Sequence, residues 1–218
     1  YVINEDHPTE MAYIGAMGVQ MTDLAYNRAD GKLYGITNTG EVYEIDVMTA
    51  QVQFLDQVEA ETNTLACDDQ GNFYCIIRGM PTGSSYAPGS ICRFTLENIA
   101  QPEVLFSRWS INGVNGEVQA LDWDPNTGRL FWAYFYHWFS HGGSYEHMYN
   151  DIYSFDLETG DYLYYSITKD ITFETWYERH LSCLILPEKG VNPQWPAETD
   201  TVSGVQLDST ALTLVKGE

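Results

Sequence analysis

Residues 134–150, YFYHWFSHGGSYEHMYN, concentrate the side chains best able to do chemistry. His137, His141, Glu146 and His147 supply imidazole nitrogens and a carboxylate, the donor types that hold zinc and related transition metals. His137 and His141 stand in a His-x-x-x-His spacing, so the candidate metal ligands are His137, His141 and His147. No HExxH helix accompanies them, and a strand through residues 130–139 would turn His137 to the face opposite Trp138. The favoured expectation is therefore that the histidines are polar surface groups on a long hairpin. No cofactor is expected, a divalent metal on these histidines being the one exception left open.

The same stretch continues an aromatic series. Trp132, Tyr134, Tyr136 and Trp138 recur at period two, which places four rings on one strand face. Rings with polar edges suit stacked sugars or a partner peptide. Most such rings in a sheet protein serve the core, so the ligand platform is expected only near the tip, at Tyr136, Trp138 and Tyr145.

Elsewhere the chemistry is thin. The chain has 218 residues, with 31 acidic against 10 basic and a formal net charge of −21, so no single carboxylate pair is informative. Asp122 and Asp124 bracket Trp123, and Asp124 reads as a turn-former. Asp68, Asp69 and Asn72 offer oxygens to calcium without the order of an EF-hand loop. A nucleophile elbow, a P-loop and a dinucleotide fingerprint are all missing, and no catalytic residue is assigned. The charge itself excludes more. Phosphate backbones and anionic membrane surfaces call for a basic face, so neither nucleic acid nor membrane is an expected partner. No apolar run reaches the roughly 18–20 residues of a spanning helix. The chain opens at Tyr1 with neither methionine nor a signal-like segment, so an upstream portion is expected to have been removed.

Four cysteines, Cys67, Cys75, Cys92 and Cys183, are too few and too irregular for a disulfide framework or a zinc ribbon. A Cys67–Cys75 or Cys75–Cys92 bridge between neighbouring strands remains open, against the favoured reading of buried free thiols.

The elements that must position these groups emerge from an internal repeat. Residues 22–36 (TDLAYNRADGKLYGI), 63–77 (NTLACDDQGNFYCII) and 119–133 (QALDWDPNTGRLFWA) share a strand–turn–strand pattern. Leu24, Leu65 and Leu121 correspond, as do Tyr26, Cys67 and Trp123, and Asn27, Asp68 and Asp124 open the turns. Gly31, Gly71 and Gly128 fall where the chain must reverse through a positive φ. The alignment next matches Tyr34, Tyr74 and Trp132, and then Gly35, Cys75 and Ala133, so Cys75 is expected at a small, tightly packed site. A second shared strand follows at 41–50, 90–99 and 151–160, and a last one at 51–56, 102–107 and 162–167.

Four antiparallel strands per unit of roughly 40 residues make a propeller blade. The fold class expected is all-β, a β-propeller of four-stranded antiparallel blades, three of them complete. In LDWDPNTGRLFWA and IYSFDLETGDYLYY the sequence resembles the β-propellers of secreted and surface bacterial proteins, and the wider YWTD-like and quinoprotein-like class. Residues 11–17 and 180–186 supply partial strands, so the ring is expected to be completed from outside the chain or by residues 1–4 pairing with the C-terminal segment. The tail, residues 202–218, resembles the opening strands of a bacterial Ig-like (Big2-type) module. The division expected is blades in 1–190, a linker in 191–201 and the start of the Ig-like module in 202–218.

Together these readings imply an extracellular or cell-surface bacterial protein, one piece of a larger multidomain chain. Its expected role is a non-catalytic binding or scaffold module that presents a loop-rich face to a glycan or protein ligand. The alternative is a glycan-active hydrolase or lyase using carboxylates or the histidine cluster.

Overall fold

The computed structural model describes residues 2–3, 9, 11–79, 89–106, 116–139 and 145–166. All regular structure in them is strand. Strands β1 (Val2–Ile3) and β2 (Met11–Ala12) form an antiparallel pair. Strands β3 (Asp23–Asn27), β4 (Lys32–Ile36), β5 (Glu41–Ile45) and β6 (Val52–Gln57) form the first blade, an antiparallel meander in chain order. The second blade contains β7 (Glu61–Thr62), β8 (Ala66–Cys67), β9 (Phe73–Gly79), β10 (Ile91–Phe94) and β11 (Glu103–Phe106). The third is again a four-stranded meander, of β12 (Gly116–Asp124), β13 (Arg129–Phe139), β14 (Tyr145–Asp156) and β15 (Tyr162–Ser166). These are the three β-propeller blades that the repeat predicts. Residues 180–186, 191–201 and 202–218 lie outside the described residues.

The turns form for the reasons the repeat suggests. Gly31, Gly71 and Gly128 have φ of 74°, 82° and 68°, values that cost an L side chain energy. The side chain that opens each turn accepts a backbone N–H two residues on: Ala29 to Asn27, Gln70 to Asp68 and Asn126 to Asp124. Asp68 does more, accepting also from the Asn72 amide and side chain and from the Tyr74 hydroxyl. Its oxygens are thus engaged in turn-building.

Register corrects the alignment of the third copy. Asn27 pairs with Lys32 and Asp124 with Arg129, so four residues fill each of those turns, whereas the second turn closes between Asp68 and Asn72 over three. Leu24 therefore faces Gly35 across the ladder and Leu121 faces Trp132. The counterpart of Tyr34 and Tyr74 is Phe131, and Trp132 holds the place of Gly35 and Cys75. The tightness expected there holds at Gly35: a side-chain carbon would lie 2.9 Å from Met21 Sδ and 3.0 Å from Ile45 Cδ1. In the third blade the same place is filled by Trp132, stacked on Tyr153 at 5.5 Å.

Alternation then builds two cores. Ala25, Tyr34, Ile36 and Val42 of the first blade pack on Leu65, Cys67, Phe73, Cys75, Cys92 and Phe94 of the second. Tyr34 meets Phe73 edge-on at 5.0 Å. The opposite face of the second blade, with Ala66, Tyr74, Ile76 and Ile91, packs on Val118, Leu121, Leu130, Trp132 and Phe155 of the third. The closest approaches run through the first strands, β3 against β8 and β8 against β12, so the blades fan out from their inner edges.

Cys75 and Cys92 are register partners on β9 and β10, yet Cys67, Cys75 and Cys92 are all free and buried. Burial pushes the Cys67 and Cys92 thiols up to about 12, and burial together with its Cys92 neighbour raises Cys75 well above the ordinary thiol value. Such thiols are packing groups. Cys183 lies outside the described residues.

Candidate functional site

The third blade differs from the first in its middle hairpin. Strands β13 and β14 run 11 and 12 residues, against 5 each for β4 and β5. Residues 134–139 and 145–150 prolong the two strands into the long hairpin, because the run YFYHWF is rich in aromatics that favour extended backbone. Ladder pairing continues from Arg129 opposite Asp156 to Phe139 opposite Tyr145, with one irregularity between Trp138 and Phe139.

That ladder places the sequence-derived candidates by backbone position. Tyr136 pairs with Gly116 on β12 and Tyr149 on β14. Trp138 pairs with His147, and Tyr145 stands one rung beyond, opposite Phe139. Tyr136, Trp138 and Tyr145 thus belong to one end of one hairpin, within four rungs of each other. His137 pairs with Met148, so His137 and His147 occupy successive rungs and are not directly opposed. His141 lies outside the described residues. Among the described residues no three His, Cys, Asp or Glu side chains converge to hold a metal.

A second group of interest sits at the inner edges of the blades. Asp23, at the start of β3, accepts the Leu24 N–H at 2.9 Å and, across the interface, the Leu65 N–H of the second blade at 2.8 Å. Burial raises its pKa to about 7, outweighing the lowering by the Leu65, Leu24 and Leu121 amides, and the nearby Asp122 charge adds to the rise. The side-chain amide of Asn63, from the second blade, continues the pattern by donating to the Val118 carbonyl of the third at 2.6 Å. These contacts lock one inner strand to the next.

Sequence reasoning missed Asp23. The available signal was a charged residue at a repeat position where the other copies carry Thr64 and Ala120. Asp122, on the other side of Trp123 from Asp124, accepts the Trp123 N–H at 2.8 Å and contributes its charge to the Asp23 environment. Asp124 is the turn-former expected, receiving the Asn126 amide and the Thr127 hydroxyl.

No family model matches the chain, and no curated protein matches it in sequence. Among solved structures it is similar to the dihydro-heme d1 dehydrogenase NirN in complex with DHE, at 11% identity and a TM-score of 0.35, covering 64% of this chain and 35% of that one. It is similar to the Cps50 (Swd1) β-propeller domain of Myceliophteria thermophila, at 12% identity and a TM-score of 0.35, covering 72% and 42%. A structural genomics protein of unknown function from Bacteroides thetaiotaomicron matches at 10% identity and a TM-score of 0.35, covering 66% and 46%. The chain spans less than half the length of each of these three proteins.

Proposed function

We propose that this chain is a non-catalytic binding or scaffold module in which the β13–β14 hairpin presents Tyr136, Trp138 and Tyr145 to a glycan or protein ligand. The observation that carries the reading is the length of that hairpin. The first blade is built with middle strands of five residues, so the added length of β13 and β14 exceeds what a blade requires. An aromatic-rich extension on a rigid sheet is a low-entropy platform for a stacked sugar or a partner peptide. The net charge of −21 suits a soluble surface domain that avoids acidic partners. In this reading the protein is a bacterial extracellular or cell-surface one, and residues 202–218 begin an Ig-like module of a longer chain.

Glycan arrays and pull-downs from host or bacterial surface extracts test the proposal, with Tyr136→Ala and Trp138→Ala as probes. Each substitution is expected to weaken binding at least about tenfold, the loss of one stacked ring, with an unchanged far-UV circular dichroism spectrum. A captured ligand held equally well by both variants would overturn it.

The second reading, a glycan-active hydrolase or lyase, draws on the Asp23 carboxyl, raised towards neutrality near Asp122. Its test is elemental analysis combined with a reducing-sugar assay. Stoichiometric metal on His137, His141 and His147 with sugar release would replace the binding reading by the enzymatic one.

A further inference from the structure

The first blade has one face built like an interblade interface that no described blade covers. Its rungs are Leu24–Gly35–Tyr43–Phe54 and Tyr26–Leu33–Ile45–Val52. Leu24, Tyr26 and Phe54 are 47%, 53% and 52% exposed. At the positions of Leu24, Leu65 and Leu121 are 0% and 3% exposed. Leu65 is covered by the first blade and Leu121 by the second. At both described interfaces, then, this face of a blade is closed by the blade that precedes it in the chain.

A second observation concerns what precedes the first blade. The pair β1–β2 stands where outer hairpins stand elsewhere, since β5–β6 precedes the inner strands of the second blade and β10–β11 those of the third. Ten residues separate β2 from β3, against eight between β6 and β8 and nine between β11 and β12. Among the described residues β1 pairs with β2 alone, so its other edge is open to a further strand.

We propose that β1–β2 is the outer hairpin of one further blade, and that the Leu24 face seats the inner hairpin of that blade. The occupant is supplied by polypeptide joined to the N-terminal side of β1. Its chemistry follows from the two interfaces present. It pairs with the open edge of β1 and lays an Ala–Tyr rung flanked by a β-branched residue over Leu24 and Tyr26. Ala25, Tyr34 and Ile36 do this for the second blade, and Ala66, Tyr74 and Ile76 for the third. A second copy of the chain is the poorer occupant, because each copy carries a net charge of −21.

The experiment compares the full chain with the same chain extended before Tyr1 by a copy of its own residues 61–90, which carry the inner strands of the second blade. Light scattering, thermal melting and 8-anilinonaphthalene-1-sulfonate fluorescence are the readouts. The extended chain is expected to be monomeric, to melt about 5 °C or more higher, and to bind several-fold less dye. Leu24→Asp and Tyr26→Asp, placed in the extended chain, should each abolish both gains. Equal melting and equal dye binding of the two chains would overturn the proposal. So would a dimer of the unextended chain that Leu24→Asp dissociates, which assigns the face to a second copy. Dye binding that rises when residues 167–218 are removed would also overturn it, assigning the face to this chain's own C-terminal part.

Discussion

Leu24 and Leu65 are the same residue at the same place in two adjacent blades, and they live in different solvents. Leu65 is fully buried and Leu24 is 47% exposed. The backbone around both is an inner strand that opens into a glycine-containing turn. The difference is therefore not in the blade but in what lies against it. A four-stranded meander has two faces, and its own residues determine only which side chains occupy each. Burial follows when a neighbour arrives.

The largest expected effect sharpens this contrast. Leu65→Ala should destabilise the protein by about 3 kcal/mol, through lost transfer energy and the cavity left between the first two blades. Urea denaturation followed by circular dichroism measures it, and a loss as small as that at Leu24 would break the comparison. Next is Asp68→Ala, which strips the second turn of its acceptor and removes the carboxylate to which the buried Tyr74 hydroxyl donates. A loss of about 2 kcal/mol is expected, against less for Asp124→Ala, whose turn spares an equivalent tyrosine.

The third test separates Asp23 from Thr64, its counterpart one blade on. Because the folded-state pKa of Asp23, about 7, lies above the ordinary 3.8, the folded protein holds this proton more tightly than the unfolded chain does. The stability it contributes is fully present below about pH 4 and is lost as pH rises through about 7. Melting temperatures between pH 4.5 and 8 should fall more steeply for the native chain than for Asp23→Thr. Parallel curves would show that Asp23 titrates as an ordinary carboxyl. The smallest effect closes the series: Leu24→Ala should cost under about 1 kcal/mol, because a half-exposed side chain leaves little cavity.

Much of this architecture is legible in the residues. The turn glycines, the polar side chains that open each turn and the alternation along each strand act within a few positions of one another, so three blades are readable before any packing is known. The third copy shows the limit. Matching Trp132 to Tyr34 reads the third turn as one residue longer than the first, and only the pairing of Asp124 with Arg129, equivalent to that of Asn27 with Lys32, reveals the slip. One residue of turn length exchanges the faces, which moves Trp132 from the side facing away to the interface with the second blade. A strand within residues 11–17 and a pairing segment in residues 1–4 are legible too, but that Val2–Ile3 pairs with Met11–Ala12 is not, since strands this short carry no register signal. For the candidate site, the period-two aromatic run announced a strand, but how far β13 and β14 stay paired is a matter of ladder pairing with a partner strand.

By itself, then, the sequence determined the strands, their turns and their order, because backbone conformation answers to neighbours along the chain. Only the tertiary structure decided that Leu65 is core and Leu24 surface, that Trp132 takes the place held by Gly35 and Cys75, and that Asp23 keeps its proton near neutrality. Each of those depends on how much water an adjoining blade removes, and residues distant in the chain supply that blade.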